Sequence, residues 1–110
     1  MAKTITFTYK DTDYTLEYTR STIRKMEDDK VDFETMDTHT FTAVFDLFRY
    51  SFWRHHKREF KNEDLIAEIL ALFPDKEKLY ETLNDMIGDT VAYLSDPDES
   101  EKNVIQWNIN

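Results

Sequence analysis

Thr4-Ile5-Thr6-Phe7-Thr8-Tyr9 and Tyr14-Thr15-Leu16-Glu17-Tyr18 open this chain, separated by Lys10-Asp11-Thr12-Asp13. Both runs alternate strictly. Ile5, Phe7 and Tyr9 share one face of the first, and Tyr14, Leu16 and Tyr18 share one face of the second. Period-two alternation of β-branched and aromatic residues predicts two strands, and the four polar residues between them predict a hairpin loop. A two-stranded hairpin is marginal in water, so its apolar face needs a cover from the rest of the chain.

Downstream the period changes to that of helices. Thr19 is placed to cap a first helix from about Arg20 to Asp29, with Ile23 and Met26 facing inward. Val31-Asp32-Phe33-Glu34-Thr35-Met36 alternates again, as either a third short strand or an extended loop. Between about Thr40 and Lys57, Phe41, Val44, Phe45, Phe48 and Phe52 recur at helical spacing, broadened by Leu47, Tyr50 and Trp53; this predicts a central helix. Asn62 caps a third, with Glu63 and Asp64 in its first turn and Leu65, Ile66, Ile69, Leu70 and Phe73 on its buried side, ending at Phe73-Pro74. Asp75 caps a fourth, to about Leu94, with Leu79, Leu83, Met86, Ile87, Thr90 and Leu94 as its stripe. Gly88 within it costs about 1 kcal/mol against alanine, which suggests close packing or a bend. The expected fold is α+β: an N-terminal hairpin, with or without a third strand, on about four helices in residues 1–95. Residues 96–110 form a separate acidic linker and apolar, strand-like tail.

With 110 residues there is enough chain for one core, burying roughly two-thirds of the unfolded surface. The formal charge of -9 disfavours nucleic acid or an anionic membrane as the main partner. Without cysteine there is no disulfide framework and no thiolate zinc site. No apolar run approaches the roughly 20 residues of a membrane span, and Met1-Ala2-Lys3-Thr4 lacks the apolar stretch of a signal peptide. The expected location is cytoplasmic.

Catalytic patterns are missing. Adjacent histidines in Arg54-His55-His56-Lys57-Arg58 point about 100° apart on a helix and cannot share a metal unaided. The segment reads as a solvated basic helix end, or as a docking patch for an acidic partner. Its surroundings, residues 46–61, carry Arg49, Arg54, Lys57, Arg58 and Lys61 against Asp46 and Glu59 on an otherwise acidic chain. The Asp-x-Asp pairs lack the calcium-loop pattern, one glycine cannot build a phosphate-cradling loop, and no serine sits in an elbow motif. Tyr9, Tyr14, Tyr18 and Trp53 are amphipathic enough to serve as core or as interface anchors. Past the acidic linker Asp98-Glu99-Ser100-Glu101, the residues Ile105, Trp107 and Ile109 alternate with Gln106, Asn108 and Asn110. This segment docks on its own domain or on another protein.

The blocks Ile5-Thr6-Phe7-Thr8-Tyr9, Asp13-Tyr14-Thr15-Leu16-Glu17-Tyr18-Thr19-Arg20, Arg24-Lys25-Met26-Glu27 and Glu101-Lys102-Asn103, with Gln106-Trp107, resemble a known family. It comprises small tail assembly chaperone-like proteins from siphophages and prophages of Gram-positive bacteria. The resemblance implies a non-enzymatic role in bacteriophage morphogenesis, in the host cytoplasm. Such chaperones hold the tape measure protein soluble and recruit tail tube protein subunits, then leave; several also occur in a longer, frameshifted form. A homo-oligomer is compatible with this. None of the matching motifs is catalytic, so no cofactor, metal, nucleic acid or membrane partner is expected. The partner-binding residues expected from the chain itself are Arg54, Arg58, Ile105, Trp107 and Ile109. The alternatives are a permanent virion component, or an acidic phage inhibitor that mimics nucleic acid.

Overall fold

The structure, a computed structural model, describes residues 4–34 and 40–95, the last three by backbone only. Its elements are β1 (Ile5–Tyr9), β2 (Thr12–Leu16), α1 (Arg20–Asp28), α2 (Phe41–Ser51), α3 (Lys57–Phe60), α4 (Glu63–Ala71) and α5 (Lys76–Ser95). The fold is α+β: one antiparallel hairpin packed on helices.

The hairpin pairs Ile5 with Leu16, Phe7 with Tyr14 and Tyr9 with Thr12. Its loop is two residues long, shorter than the four expected. Lys10 and Asp11 both take positive φ, 48° and 64°, so the chain reverses at once and β2 starts at Thr12. Two consecutive left-handed residues make the primed turn whose twist matches that of the flanking strands. The Thr8 hydroxyl donates across the ladder to Asp13 at 2.7 Å.

Thr19 caps α1 reciprocally with Thr22, and Ile23 and Met26 are buried as the periodicity predicts. The helix stops where Lys30 turns left-handed (φ 61°). Lys30 and Val31 then donate to the carbonyls of Glu27 and Met26, satisfying the end of the helix in a Schellman arrangement. The helix thus ends within one residue of the expected Asp29. Residues 31–34 form a bend with no ladder, so the described residues hold no third strand; residues 35–36 of that candidate lie outside them.

The long helix expected to Lys57 ends at Ser51. The Ser51 carbonyl, which would accept from residue 55 in a continuing helix, accepts the Glu17 amide at 3.0 Å instead. The amides of Phe52 and Trp53 close onto Arg49 and Tyr50, tightening the last turn. A turn over 52–55 and the one-turn α3 follow, giving five helices among the described residues where about four were expected. The buried side of α2 is Ala43, Leu47, Phe48, Tyr50 and Ser51. Phe41, expected in the stripe, is 74% exposed, because it is the first residue of the helix and overhangs its end.

Leu16, Tyr18, Met26, Leu47, Phe48, Phe52, Ile66, Leu83 and Met86 meet in the core. Phe7 and Phe48 both meet Phe73 edge-on at 5.3 Å, which locks the hairpin to α2 and the end of α4. The Tyr9 hydroxyl donates to Glu68 of α4. Tyr18 donates to the Leu47 carbonyl at 2.5 Å, and the Thr90 hydroxyl lies 2.9 Å from the Tyr18 carbonyl. Of the four residues read as core or interface anchors, Tyr14 and Tyr18 are buried in the core. Gly88 is not a close-packing position: a Cβ there would meet nothing within 4 Å.

Candidate functional site

The basic segment is tied to the hairpin. Two outward amides of β2 and its extension are taken by the end of α2 and its connection to α3. Glu17 donates to Ser51, as above, and Thr15 donates to His56 Nε2 at 3.0 Å. The His56 ring packs 4.9 Å from Tyr14 and 6.1 Å from Phe52, and its amide donates to the Phe52 carbonyl at 2.7 Å. His55 Nε2 lies 2.7 Å from Glu17 Oε1 on the rim. The two histidines thus clasp one strand from two sides.

His56 does not behave as a solvated basic helix end. Burial pushes its pKa below the ordinary imidazole value, and Glu59, whose carboxylate is 3.9 Å from Nδ1, opposes this. Accepting the Thr15 amide requires a bare Nε2, so the neutral ring, with its proton on Nδ1, is the state that fits. No sequence pattern marks a histidine that seals a strand edge.

Beyond the clasp stand the cations. Arg54, Lys57 and Arg58 are exposed, with the Lys57 ammonium 4.4 Å from the Trp53 ring centroid. Among the described residues, no carboxylate lies in ion-pair distance of Arg54 or Arg58. Arg49, from the same stretch of sequence, is used internally. Its Nε donates to the Phe60 carbonyl at 3.0 Å, and its guanidinium covers the Phe60 ring at 4.0 Å. Beside it the Tyr50 hydroxyl donates to Asp29 at 2.8 Å. Burial first, and then the hydrogen bond to Asp29, push the Tyr50 phenol up to about 12, while that hydroxyl holds Asp29 below its usual range.

Arg54, in the turn after α2, and Arg58, in α3, are both exposed. Ile105, Trp107 and Ile109 lie outside the described residues. Among the described residues no group of three or more His, Asp or Glu side chains could hold a metal, and no helix is long and apolar enough to cross a membrane. Sequence reasoning missed Leu72, 63% exposed just past α4, which it did not single out.

No curated protein and no solved structure matches this chain. One family does match, over residues 1–110, and the chain belongs to it: the domain of unknown function DUF5055.

Proposed function

We propose that this protein is a non-enzymatic phage tail assembly chaperone that transiently binds the tape measure protein and tail tube subunits in the host cytoplasm. The observation that carries the binding role is the pair of exposed guanidinium groups, Arg54 and Arg58. They have no acidic partner among the described residues of a chain with net charge -9. Cations left unpaired among so many available acids suit an acidic segment of another protein. Their setting is rigid: the turn that bears Arg54 is tied to β2 through Ser51 and His56. The resemblance of the β1, β2 and α1 blocks and of the chain's last residues to tail chaperones supplies the identity of the partners. Ile105, Trp107 and Ile109 add an apolar segment that a partner can take up.

The test is co-expression with the tape measure and tube proteins of the same tail-gene region. The wild type keeps the tape measure protein in the soluble fraction and is absent from purified virions. Reversing Arg54 and Arg58 to glutamate weakens the association and flattens its salt dependence, with the melting temperature unchanged. Equal capture by the reversed variant at every salt concentration refutes the role of the patch, and recovery of the chain in virions refutes the chaperone reading.

A further inference from the structure

The two edges of the hairpin are treated unequally. The two-residue loop closes on Tyr9 and Thr12, so the pairs Tyr9–Thr12, Phe7–Tyr14 and Ile5–Leu16 exchange the ladder bonds. Thr6 and Thr8 then turn their N–H and C=O groups away from β2. On the β2 side two outward amides are occupied, since Thr15 and Glu17 donate to His56 and Ser51. On β1 no described residue pairs with the outer edge, and Thr6 and Thr8 are exposed. An open strand edge is a template for another strand.

Beside that edge lies a shallow apolar depression of about 220 Å³, whose walls include Phe7, Tyr9, Leu72, Phe73 and Pro74. It has the form of a strand-addition site: unpaired backbone groups along one side, and a place for apolar side chains on the face that Ile5, Phe7 and Tyr9 share. The ligand it fits is an extended segment that is apolar at every second residue. This chain holds one outside the described residues, Val104-Ile105-Gln106-Trp107-Asn108-Ile109, with Ile105, Trp107 and Ile109 on a single face of a strand.

Its reach is sufficient. Thr90 of α5 touches Tyr18, two residues beyond Leu16, the ladder partner of Ile5. Helix α5 continues only five residues past Thr90, about 7.5 Å. Residues 96–103 then span up to about 26–29 Å when extended, enough to return to β1. Tethering sets an effective concentration on the order of millimolar, above that of any second copy at working dilution.

We infer that, in the free protein, residues 104–109 add to the outer edge of β1 as a third strand, with Trp107 seated against Leu72 and Phe73. A partner that takes up this segment draws it off β1. The inference therefore concerns the free chain and stands whatever the partner is.

Amide hydrogen exchange in the full-length chain tests it. The Thr6 and Thr8 amides exchange slowly in the wild type. They exchange at least tenfold faster in Trp107→Asp, and again in Leu72→Asp, a surface change that leaves the tail intact. The Phe7 and Tyr9 amides, which bond to β2, keep their protection in both variants and serve as the internal control. Fast exchange of Thr6 and Thr8 in the wild type, or unchanged rates in both variants, overturns the inference. So does equal acceleration at Phe7 and Tyr9, which would signal general loosening. Protection that grows with protein concentration assigns the edge to a second copy and overturns it as well.

Discussion

Protonating His56 removes an acceptor that the Thr15 amide has no substitute for. The neutral ring accepts at 3.0 Å; the charged ring presents N–H to N–H and the bond is lost. A typical hydrogen bond contributes about 1 kcal/mol net, and an abandoned half-buried donor costs about 1–3 kcal/mol. The pKa of His56 is depressed in the folded state, so below pH 6.5 the unfolded chain binds the proton first. The contribution of His56 is thus fully present above about pH 6.5 and is lost as pH falls through the lower, folded value. His56→Phe retains ring packing against Tyr14 and Phe52 but has no acceptor at any pH. In urea unfolding at pH 7.5 this variant is less stable than the wild type by about 1 kcal/mol, a midpoint shift of roughly 0.3–1 M for slopes of about 1–3 kcal/mol/M. As pH falls below about 6.5 the gap narrows, because the unfolded wild type takes up the proton that the folded ring resists. The comparison cancels the titration of His55, Glu17 and Glu59 so far as these are independent of residue 56. A gap that stays constant or widens between pH 7.5 and 5 refutes the clasp as drawn.

Other substitutions separate core from surface. Phe48→Ala, at a fully buried position ringed by Phe52 and Phe73, costs about 3–5 kcal/mol, whereas Phe41→Ala, at an exposed helix start, stays within about 0.5 kcal/mol; thermal unfolding distinguishes the two. Gly88→Ala raises stability by about 0.5–1 kcal/mol in the same assay, since the helix interior there has open space for a methyl group. Tyr50→Phe removes the hydroxyl that lowers the pKa of Asp29. The stability this carboxylate contributes above its unfolded pKa, and loses as pH falls through the folded value, becomes smaller, and NMR titration of Asp29 shows its pKa moving up.

Local chemistry alone determines much of this molecule. Alternation over Ile5–Tyr9 and Tyr14–Leu16, the caps Thr19, Asn62 and Asp75, and the stripes on α1, α4 and α5 are visible in the chain because each depends on neighbours within a few residues. So are the cations Arg54, Lys57 and Arg58, whose exposure follows from charge. What the tertiary structure decided depends on residues far apart in the chain. Helix α2 stops at Ser51 because a strand 34 positions upstream takes its carbonyl, and periodicity within the helix carries no trace of that. His56 acquires its acceptor role from Thr15, 41 residues away, and its depressed pKa from the burial that follows. Phe41 and Phe48 are the same residue type at helical spacing, yet one projects past the helix start while the other is enclosed by α2, α4 and the hairpin. The two edges of the hairpin differ because the end of α2 and its connection lie along β2. Hydrogen-bond partners across such distances are chosen by packing, and packing is a property of the folded chain.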